Sequence, residues 1–489
     1  MNKRLNSRWK PDFWFFTKLF VILAMCLFIV YPFYTIITKS VFSSKVEGIT
    51  LYNFKRFFNK PYYYQTLLRS MVVCFSTVLT TTLVGVPIAY LITRYNIPGK
   101  KILHIFIIMS LMSPPFIGAY SWIILLGRNG LVARALAQIG MTAPTIYGRG
   151  GIIFVFTLHL FPYIYLYTSG AMNSIDSSLE EASENLGMNK IRRIWTVTLP
   201  VILPSILAGC IMVFMTCLAD FGTPMLLGEG YTVLPVLVYN EYMSESATDP
   251  YMASALSVII VFCSLVMLSF QKLVVDKRNY TMSSLRPPQE TKLHGFKRFL
   301  ASLPIYIVVC LAFLPQIVVV CQSFIERSFS GVIKGVNLNN YRTIMSRLGR
   351  NIRNTYVFSI VAIVFIIFIG ILVSYVLVRK KGKIASLIDT LIMFPYVIPG
   401  SVLGIGLIVA FIVCAIYKRQ LKSVRRATEA ARYTVSGGAE ITAREDRFTH
   451  TTEVRTPIKT ESDDHDSDPS FSGGTTVNSG GFSHSGGKF

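Results

Sequence analysis

The sequence predicts an all-α fold, a polytopic transmembrane helical bundle of about nine spans followed by a polar tail. The chain has 489 residues, of which 52% are hydrophobic, and its mean hydropathy is +0.51, which is too apolar for a soluble protein of this size. Apolar stretches of roughly 20 residues recur, and each is long enough to cross a bilayer core as a helix. Because backbone groups in lipid must bond to one another, we expect helices rather than an open sheet.

Nine apolar stretches are expected to cross the membrane, namely 19–37, 70–93, 102–126, 150–172, 201–221, 251–275, 299–322, 354–378 and 384–417. The first follows several basic residues, as a signal peptide would, but it lacks a clear small-x-small cleavage site. We therefore expect a retained first helix. Prolines are expected to break the helices at positions 114, 115, 162, 395 and 399.

The net charge of +23 comes from basic residues that flank the apolar stretches, so binding to nucleic acid is not expected. With a cytoplasmic amino terminus, the basic segments 94–101 and 276–298 face the cytoplasm. The loop 222–250 contains four acidic residues and no Lys or Arg, as expected outside. Two other outer loops, 39–69 and 323–353, carry basic residues against this tendency.

No catalytic, metal or cofactor site is expected within the chain. The eight cysteines lie in or beside apolar stretches without Cys-x-x-Cys spacing, which gives no support for a disulfide framework or a zinc site. The sequence has no nucleophile elbow, Walker loop, metalloprotease helix or Gly-rich dinucleotide turn. We therefore expect a chain that is not an enzyme and does not hydrolyse ATP itself.

Two parts of the chain repeat each other in the same orientation. The stretches Leu51–Lys55 and Leu338–Arg342 each precede an apolar span that ends in Arg, and Gly85 in the first span corresponds to Gly370 in the second. This parallel duplication predicts two pseudo-symmetric halves around a central path. The expected divisions are a first half at 1–275, a cytoplasmic linker at 276–298, an incomplete second half at 299–417, and a disordered low-complexity tail at 418–489.

The loop 174–200 is polar and carries signals for a short helix. Ser177 and Ser178 each precede a glutamate by three residues, which predicts a capping box. Helical spacing puts four side chains on one face, and a glycine follows where a left-handed helix end is expected; these residues are Leu179, Ala182, Ser183, Leu186 and Gly187. A second short helix, with Ile191, Ile194, Trp195 and Thr198 on one side, is expected before the next span. An ordinary amphipathic loop on the membrane surface is the alternative.

This loop resembles the signature of binding-protein-dependent ABC importer permeases, which reads Glu-Ala-Ala, three residues, Gly, nine residues, Ile-x-Leu-Pro. Ser183 and Val197 depart mildly from it. The resemblance implies a coupling helix that enters a cleft of a cytoplasmic ATP-binding subunit, where ATP is bound. The residues implied in coupling are Glu180, Glu181, Ala182, Ser183, Leu186, Gly187, Leu199 and Pro200.

The resemblance covers about residues 10–413 and includes features of ferric-iron importer permeases, in Leu158–Tyr163 and Ala219–Pro224. It implies a multi-pass protein of the bacterial inner membrane, surrounded by lipid, that receives iron from an extracytoplasmic solute-binding protein. Permeases for thiamine, phosphonate or polyamines share the loop signature and stay as alternatives.

Two ionisable residues in or beside the spans are candidates for lining the translocation path, His159 and Asp220. An ionisable group at the bilayer centre costs about 2.5–3.5 kcal/mol unless it faces protein or water. A single hydrogen bond from His159 to a neighbouring helix is the plainer explanation for that residue.

The second half has no loop of the Glu-Ala type. A non-transporting membrane scaffold, or a truncated or chimeric fragment, is therefore the main alternative function. In a few short stretches, such as Lys422–Arg425, the tail resembles the carboxyl termini of TPM-domain proteins. We expect a junction between the two resemblances near residues 401–417. The scarcity of acids and bases within the spans disfavours an ion-driven carrier.

Overall fold

The computed structural model describes residues 13–142, 144–243, 249–274, 290–327 and 333–379, together with single positions between 382 and 418 and two dipeptides of the tail. Within these residues the predicted all-α fold is confirmed, since helices account for nearly all the regular structure. Most of the predicted ninth span, of the predicted junction and of the tail lies outside the described residues. The tail's described dipeptides are β3 (Thr476–Val477) and β4 (Ser483–His484), which pair antiparallel.

The helices up to residue 274 are, in chain order, α1 (Phe13–Met25), α2 (Tyr31–Ser40), α3 (Tyr52–Asn59), α4 (Pro61–Arg94), α5 (Lys100–Leu111), α6 (Pro115–Leu126), α7 (Leu131–Gln138), α8 (Arg149–Asn173), α9 (Ser177–Asn185), α10 (Lys190–Arg193), α11 (Leu199–Ala219), α12 (Gly222–Leu227), α13 (Leu234–Met243) and α14 (Pro250–Val274). Then come α15 (Gly295–Ser323), the antiparallel strands β1 (Ile325–Arg327) and β2 (Ile333–Val336), and α16 (Asn339–Arg379).

Eight helical segments in the described part of the chain are long and apolar enough to cross a membrane. They are Phe16–Ser40, Pro61–Arg94, Pro115–Gln138, Arg149–Asn173, Lys190–Ala219, Pro250–Phe270, Gly295–Ser323 and Asn339–Arg379. At 1.5 Å per residue, even the shortest segment, with 21 residues, is longer than the roughly 30 Å thickness of a hydrocarbon core. The chain is accordingly a multi-pass membrane protein.

The predicted helix breaks at prolines are confirmed at one place and wrong at another. The stretch 102–126 divides into α5 and α6 around an extended Pro114 (ψ 135°), with Pro115 in the first turn of α6. Pro162, in contrast, lies inside the continuous helix α8. A proline removes only one helical hydrogen bond, and the surrounding helices support α8 closely enough to keep it unbroken. Pro395 and Pro399 lie outside the described residues.

The core forms where α4 packs against α8 and α11, and where α15 packs against α5 and α6. Its largest fully buried side chains include Tyr165, Phe156 and Phe161 of α8 and Phe214 of α11. Gly85 lets α4 approach α8, because a Cβ atom at Gly85 would lie 2.8 Å from the Cβ atom of Ile164. Within α16, by comparison, Val376 is the one buried side chain. Residues before position 275 thus supply most of the described core.

The two ends of α4 carry different sets of loop contacts. Near its start, Arg56 pairs with Asp249 at 2.8 Å, and the Tyr63 hydroxyl donates to Glu241 at 3.0 Å. At its end, Arg94 pairs with Glu180 of the polar loop. Because α4 has 34 residues, these ends are about 50 Å apart. The loops predicted outside therefore gather at one end, and those predicted to be cytoplasmic gather at the other.

The repeated sequence stretches have matching local structure. The Nδ2 of Asn53 donates to the carbonyl oxygens of Ser40, the last residue of α2, and of Phe42. The Nδ2 of Asn340 donates to the carbonyl oxygens of Ser323, the last residue of α15, and of Ile325. Each amide thus satisfies orphan carbonyls at and just beyond the end of the preceding span. This geometry supports the proposed duplication.

Candidate functional site

The short helix α9 begins at a cap that differs from the predicted one. Asp176 is the N-cap, and its Oδ1 accepts the backbone N–H of Ser178 at 2.9 Å. The predicted capping boxes at Ser177 and Ser178 are wrong, because the carboxylate of Asp176 caps as well as a hydroxyl and lies one residue earlier. Glu180 lies in the first turn, where a negative charge is favourable.

Gly187 ends α9 as predicted. Its φ of +75° lies in the left-handed region, where a glycine has no Cβ penalty. The Gly187 N–H donates to the carbonyl of Glu184 at 2.8 Å, and the Met188 N–H donates to that of Ser183 at 3.1 Å. These two bonds form a Schellman motif, which fixes the direction in which the chain leaves the helix.

The predicted apolar face of α9 is divided between the protein and the surface. Ser183 is buried, and its hydroxyl donates to the Glu180 carbonyl at 2.7 Å. Leu179 packs against a small core cluster that contains Ile175, Ile202 and Ile206. Ala182 and Leu186 are exposed, and the Leu186 side chain is 77% accessible. The helix is thus anchored along one side and presents small and apolar groups on the other.

The predicted second short helix is continuous with the following span, which corrects that prediction. Helix α10 passes through a π-helical turn, Ile194–Thr198, into α11, and Leu199 and Pro200 form the first residues of α11. Proline fits there because a first-turn residue needs no helical N–H partner. The predicted face also divides: Thr198 is buried, while Ile191 is 73% and Trp195 66% exposed.

Together these residues form what we call the exposed loop surface, consisting of Glu181, Ala182, Leu186, Ile191 and Trp195. Three exposed large apolar side chains within ten residues are typical of a surface that receives a partner. The surface rests on rigid supports, since α9 is capped at both ends and α10 continues into a membrane span.

Glu180 is half-buried beside Arg94, whereas the neighbouring Glu181 is exposed. Glu180 Oε1 lies 2.5 Å from Nη2 of Arg94, and the two side chains are only 20% and 7% exposed. No aligned hydrogen bond accompanies this ion pair, and Nη1 of Arg94 has no hydrogen-bond partner within the part of the chain that the structure describes. Sequence reasoning had used Arg94 only as a marker of topology. Its recurrence as Arg379 at the end of the repeated span was the available signal.

Asp220 supports the local chain with both carboxylate oxygens. Its Oδ1 accepts the backbone N–H groups of Gly222 and Thr223, and its Oδ2 accepts the Thr223 hydroxyl at 2.7 Å. These bonds hold the start of α12 and explain how a carboxylate is accommodated at the end of a span. Asp220 thus has a structural role, whether or not it also lines a path.

His159 lines a small cavity beside the break between α5 and α6. The cavity, of about 20 Å³, has a mostly apolar lining that also includes Ser110, Ser113, Thr223 and Gln316 as well as His159. That volume is enough for a water molecule. The Oε1 of Gln316 is buried there without a hydrogen-bond partner among the described residues. Gln316 was missed by sequence reasoning, because one amide in an apolar helix carries no distinctive spacing.

The described residues contain no group of three or more His, Cys, Asp or Glu side chains that could hold a metal ion. The polar groups that line the cavity can form hydrogen bonds.

Comparison with known proteins relates the chain to membrane components of transport systems. Residues 82–280 match the model of a family described as binding-protein-dependent transport system inner membrane component. The chain is 26% identical over 408 residues to a putative ferric transport system permease protein, FbpB 1, of Haemophilus influenzae, with 80% of this chain and 62% of that protein covered. It is 27% identical over 403 residues to the ferric transport system permease protein FbpB of Actinobacillus pleuropneumoniae, covering 80% of this chain and 58% of that protein. The chain therefore spans about three fifths of these relatives' length.

Among solved structures, the chain aligns with one chain of a bacterial alginate ABC transporter, with a TM-score of 0.47 and 17% identity. That transporter was solved in complex with a periplasmic protein bound to an alginate pentasaccharide. The alignment covers 57% of this chain and all of that one.

Proposed function

We propose that this chain, whose residues 82–280 belong to the family of binding-protein-dependent transport system inner membrane components, is the permease subunit of an ABC importer for ferric iron. The observation that carries the proposal is the exposed loop surface, which stands on a capped helix at the end of the bundle predicted to be cytoplasmic. Iron is proposed because the two relatives described above are named as ferric transport permeases.

In this proposal the exposed loop surface receives a separate ATP-binding subunit, which binds and hydrolyses ATP. Ala182 has no bulky side chain, so a groove of the partner can approach the helix closely, while Glu181 pairs with a cation of that groove. Ser183, Leu199 and Pro200 support the surface, and Gly187 sets the angle between α9 and the following helix. The chain itself contributes no catalytic residue.

A solute-binding protein would deliver iron at the opposite end of the bundle, where the loops predicted outside gather. The path would pass between the two proposed halves, 1–275 and 299–417, which are joined by the linker 276–298. His159, Gln316 and Asp220 lie near the contact of α8, α12 and α15 and are the proposed polar groups of this path. Substrate passage requires polar groups that face protein or water rather than lipid.

Replacing groups on the exposed loop surface should uncouple the chain from its ATPase. We expect Glu181→Lys and Ala182→Trp to reduce both recovery of the ATP-binding subunit and ATP-dependent iron uptake by about tenfold or more. The loss of one charge-assisted bond costs about 1.5–3 kcal/mol, and 1.4 kcal/mol corresponds to a factor of ten. The measurements are co-purification and uptake of labelled iron in cells that carry the neighbouring genes.

The matched control is Ala135→Trp, which places the same bulk on an exposed alanine of α7, at the other end of the bundle. This variant should retain the ATP-binding subunit. Equal recovery of that subunit with Ala182→Trp and with wild type would contradict the proposed contact. A membrane-surface loop without a partner would give that result.

A non-transporting scaffold or chimeric fragment is the second candidate, favoured by the presence of one Glu-Ala loop in the sequence. A two-lobed ATPase dimer would engage one coupling helix from each half. Recovery of the ATPase without ATP-dependent uptake of iron, thiamine, phosphonate or polyamine would favour this candidate. Uptake of one of the last three would instead change the proposed substrate.

A further inference from the structure

The loop between α4 and α5 joins three parts of the protein at the end predicted to be cytoplasmic. It follows Arg94, whose side chain pairs with Glu180 of α9. The same loop bonds to residues 291–298, which comprise the end of the linker and the first turn of α15. Neither the loop signature nor the proposed ATPase contact accounts for this junction.

Backbone bonds attach the loop to the segment before α15. The N–H of Thr291 donates to the carbonyl of Arg94 at 2.9 Å, and the N–H of Asn96 donates to the carbonyl of Thr291 at 3.4 Å. Tyr95 and Thr291 thus form an isolated parallel bridge. The loop after α4 and the linker before α15 are therefore joined as in a sheet.

Side chains extend this attachment in both directions. The N–H of Leu293 donates to Oδ1 of Asn96 at 2.8 Å, and Nε of Arg298 donates to the Asn96 carbonyl at 3.1 Å. The Tyr306 hydroxyl, in the fourth turn of α15, donates to the Pro98 carbonyl at 2.7 Å. Asn96 is thus the centre of the attachment, because its side chain and both backbone groups are used.

Arg94 connects this attachment to α9. Its side chain is 7% exposed, and its charge is balanced by Glu180 alone among the ion pairs of the described residues. A buried charge stays close to its one partner, because separation would leave it uncompensated. Movement of α9 must therefore either move Arg94 with it or break the pair.

We propose that Arg94 and Asn96 form a tie that transmits movement of α9 to α15, so that one ATPase contact acts on both halves. This inference rests on the proposed function, since it assigns a route to the movement that the ATPase would cause. Glu180 is then a positioning residue that binds Arg94, while the exposed Glu181 is left for the partner. The tie would give the second half a connection to the ATPase without a Glu-Ala loop of its own.

The test measures ATP hydrolysis and iron uptake together, in proteoliposomes that contain the chain with its ATP-binding subunit and solute-binding protein. Asn96→Leu removes the acceptor for Leu293, and Glu180→Gln removes the charge that faces Arg94. We expect both variants to retain the ATP-binding subunit and ATP hydrolysis, while iron transported per ATP falls at least fivefold. A purely structural role would lower both activities in proportion and leave their ratio unchanged.

Two further variants serve as controls. Asn96→Asp keeps an oxygen acceptor and should restore most of the iron transported per ATP. Lys100→Ala, at the start of α5, removes the more exposed Lys100–Glu290 ion pair and should leave the iron transported per ATP unchanged. If Asn96→Leu and Glu180→Gln transport as much iron per ATP as a wild type that transports iron normally, the proposed tie is overturned. Failure of wild type to bind the ATPase would instead overturn the proposed function. If Glu180→Gln fails to fold, the Asn96 pair decides the outcome.

Discussion

A Gly85→Val variant is expected to lose several kcal/mol of stability and to be recovered in low yield from the membrane. A Cβ atom at this position would lie 2.8 Å from Cβ and 2.9 Å from Cγ2 of Ile164, and 3.1 Å from the Phe161 carbonyl oxygen. Real Cβ atoms do not approach so closely, so α4 and α8 must move apart. Overpacking of a core costs about 1–3 kcal/mol and sometimes more, and valine adds two methyl groups beyond Cβ.

The corresponding glycine of the repeat provides the control for this prediction. Gly370 lies in α16, and no heavy atom lies within 4 Å of a Cβ atom built there. Gly370→Val should therefore change stability by well under 1 kcal/mol, as expected for a substitution away from packed contacts. Thermal unfolding in detergent, followed by size-exclusion chromatography, compares the two. Equal melting temperatures for both variants would contradict the packing argument.

A Gly187→Pro variant is expected to insert into the membrane normally but to lose ATP-dependent iron uptake. Proline fixes φ near −65°, whereas Gly187 has φ of +75°. It also removes the N–H that donates to the Glu184 carbonyl. The strain of an incompatible backbone costs of order 1–3 kcal/mol, which α9 can avoid only by abandoning its Schellman end. The exposed loop surface would then lose its arrangement.

The control for this second prediction is Gly187→Asn, because asparagine adopts the left-handed conformation at small cost. No heavy atom lies within 4 Å of a Cβ atom at Gly187, so the substitution tests backbone conformation and not space. Gly187→Asn should keep most uptake. Membrane recovery is measured beside uptake, and a wild-type rate in Gly187→Pro would show that the helix end does not matter.

Much of the fold could be predicted from sequence because apolar length alone identifies a membrane helix. Prolines were harder to interpret: Pro114 breaks a helix and Pro162 does not, although both lie in apolar stretches. The difference depends on the neighbouring helices, which local sequence does not reveal. The repeat was more informative, since the alignment of Asn53 with Asn340 corresponds to two equivalent sets of hydrogen bonds.

At the candidate site, sequence identified the loop but not how its side chains are divided. Helical spacing placed Leu179, Ala182, Ser183 and Leu186 on one face, yet two face the protein and two face outwards. One face of a helix is wide enough to contact both the protein and the surroundings. The elements packed against α9 determine which of its side chains are buried and which are exposed. Arg94 and Gln316 were missed for a related reason: their importance comes from partners distant in the chain.

The continuity of Lys190–Ala219 has a consequence for how far a push on the loop would travel. These 30 residues form one rod about 45 Å long, with a π-helical turn but no hinge loop in it. Ile191 and Trp195 lie at one extremity, while Asp220, which holds the start of α12, follows immediately after the other. Under the proposed coupling, a tilt imposed on the helix at Ile191 and Trp195 would therefore displace α12 on the opposite side of the membrane.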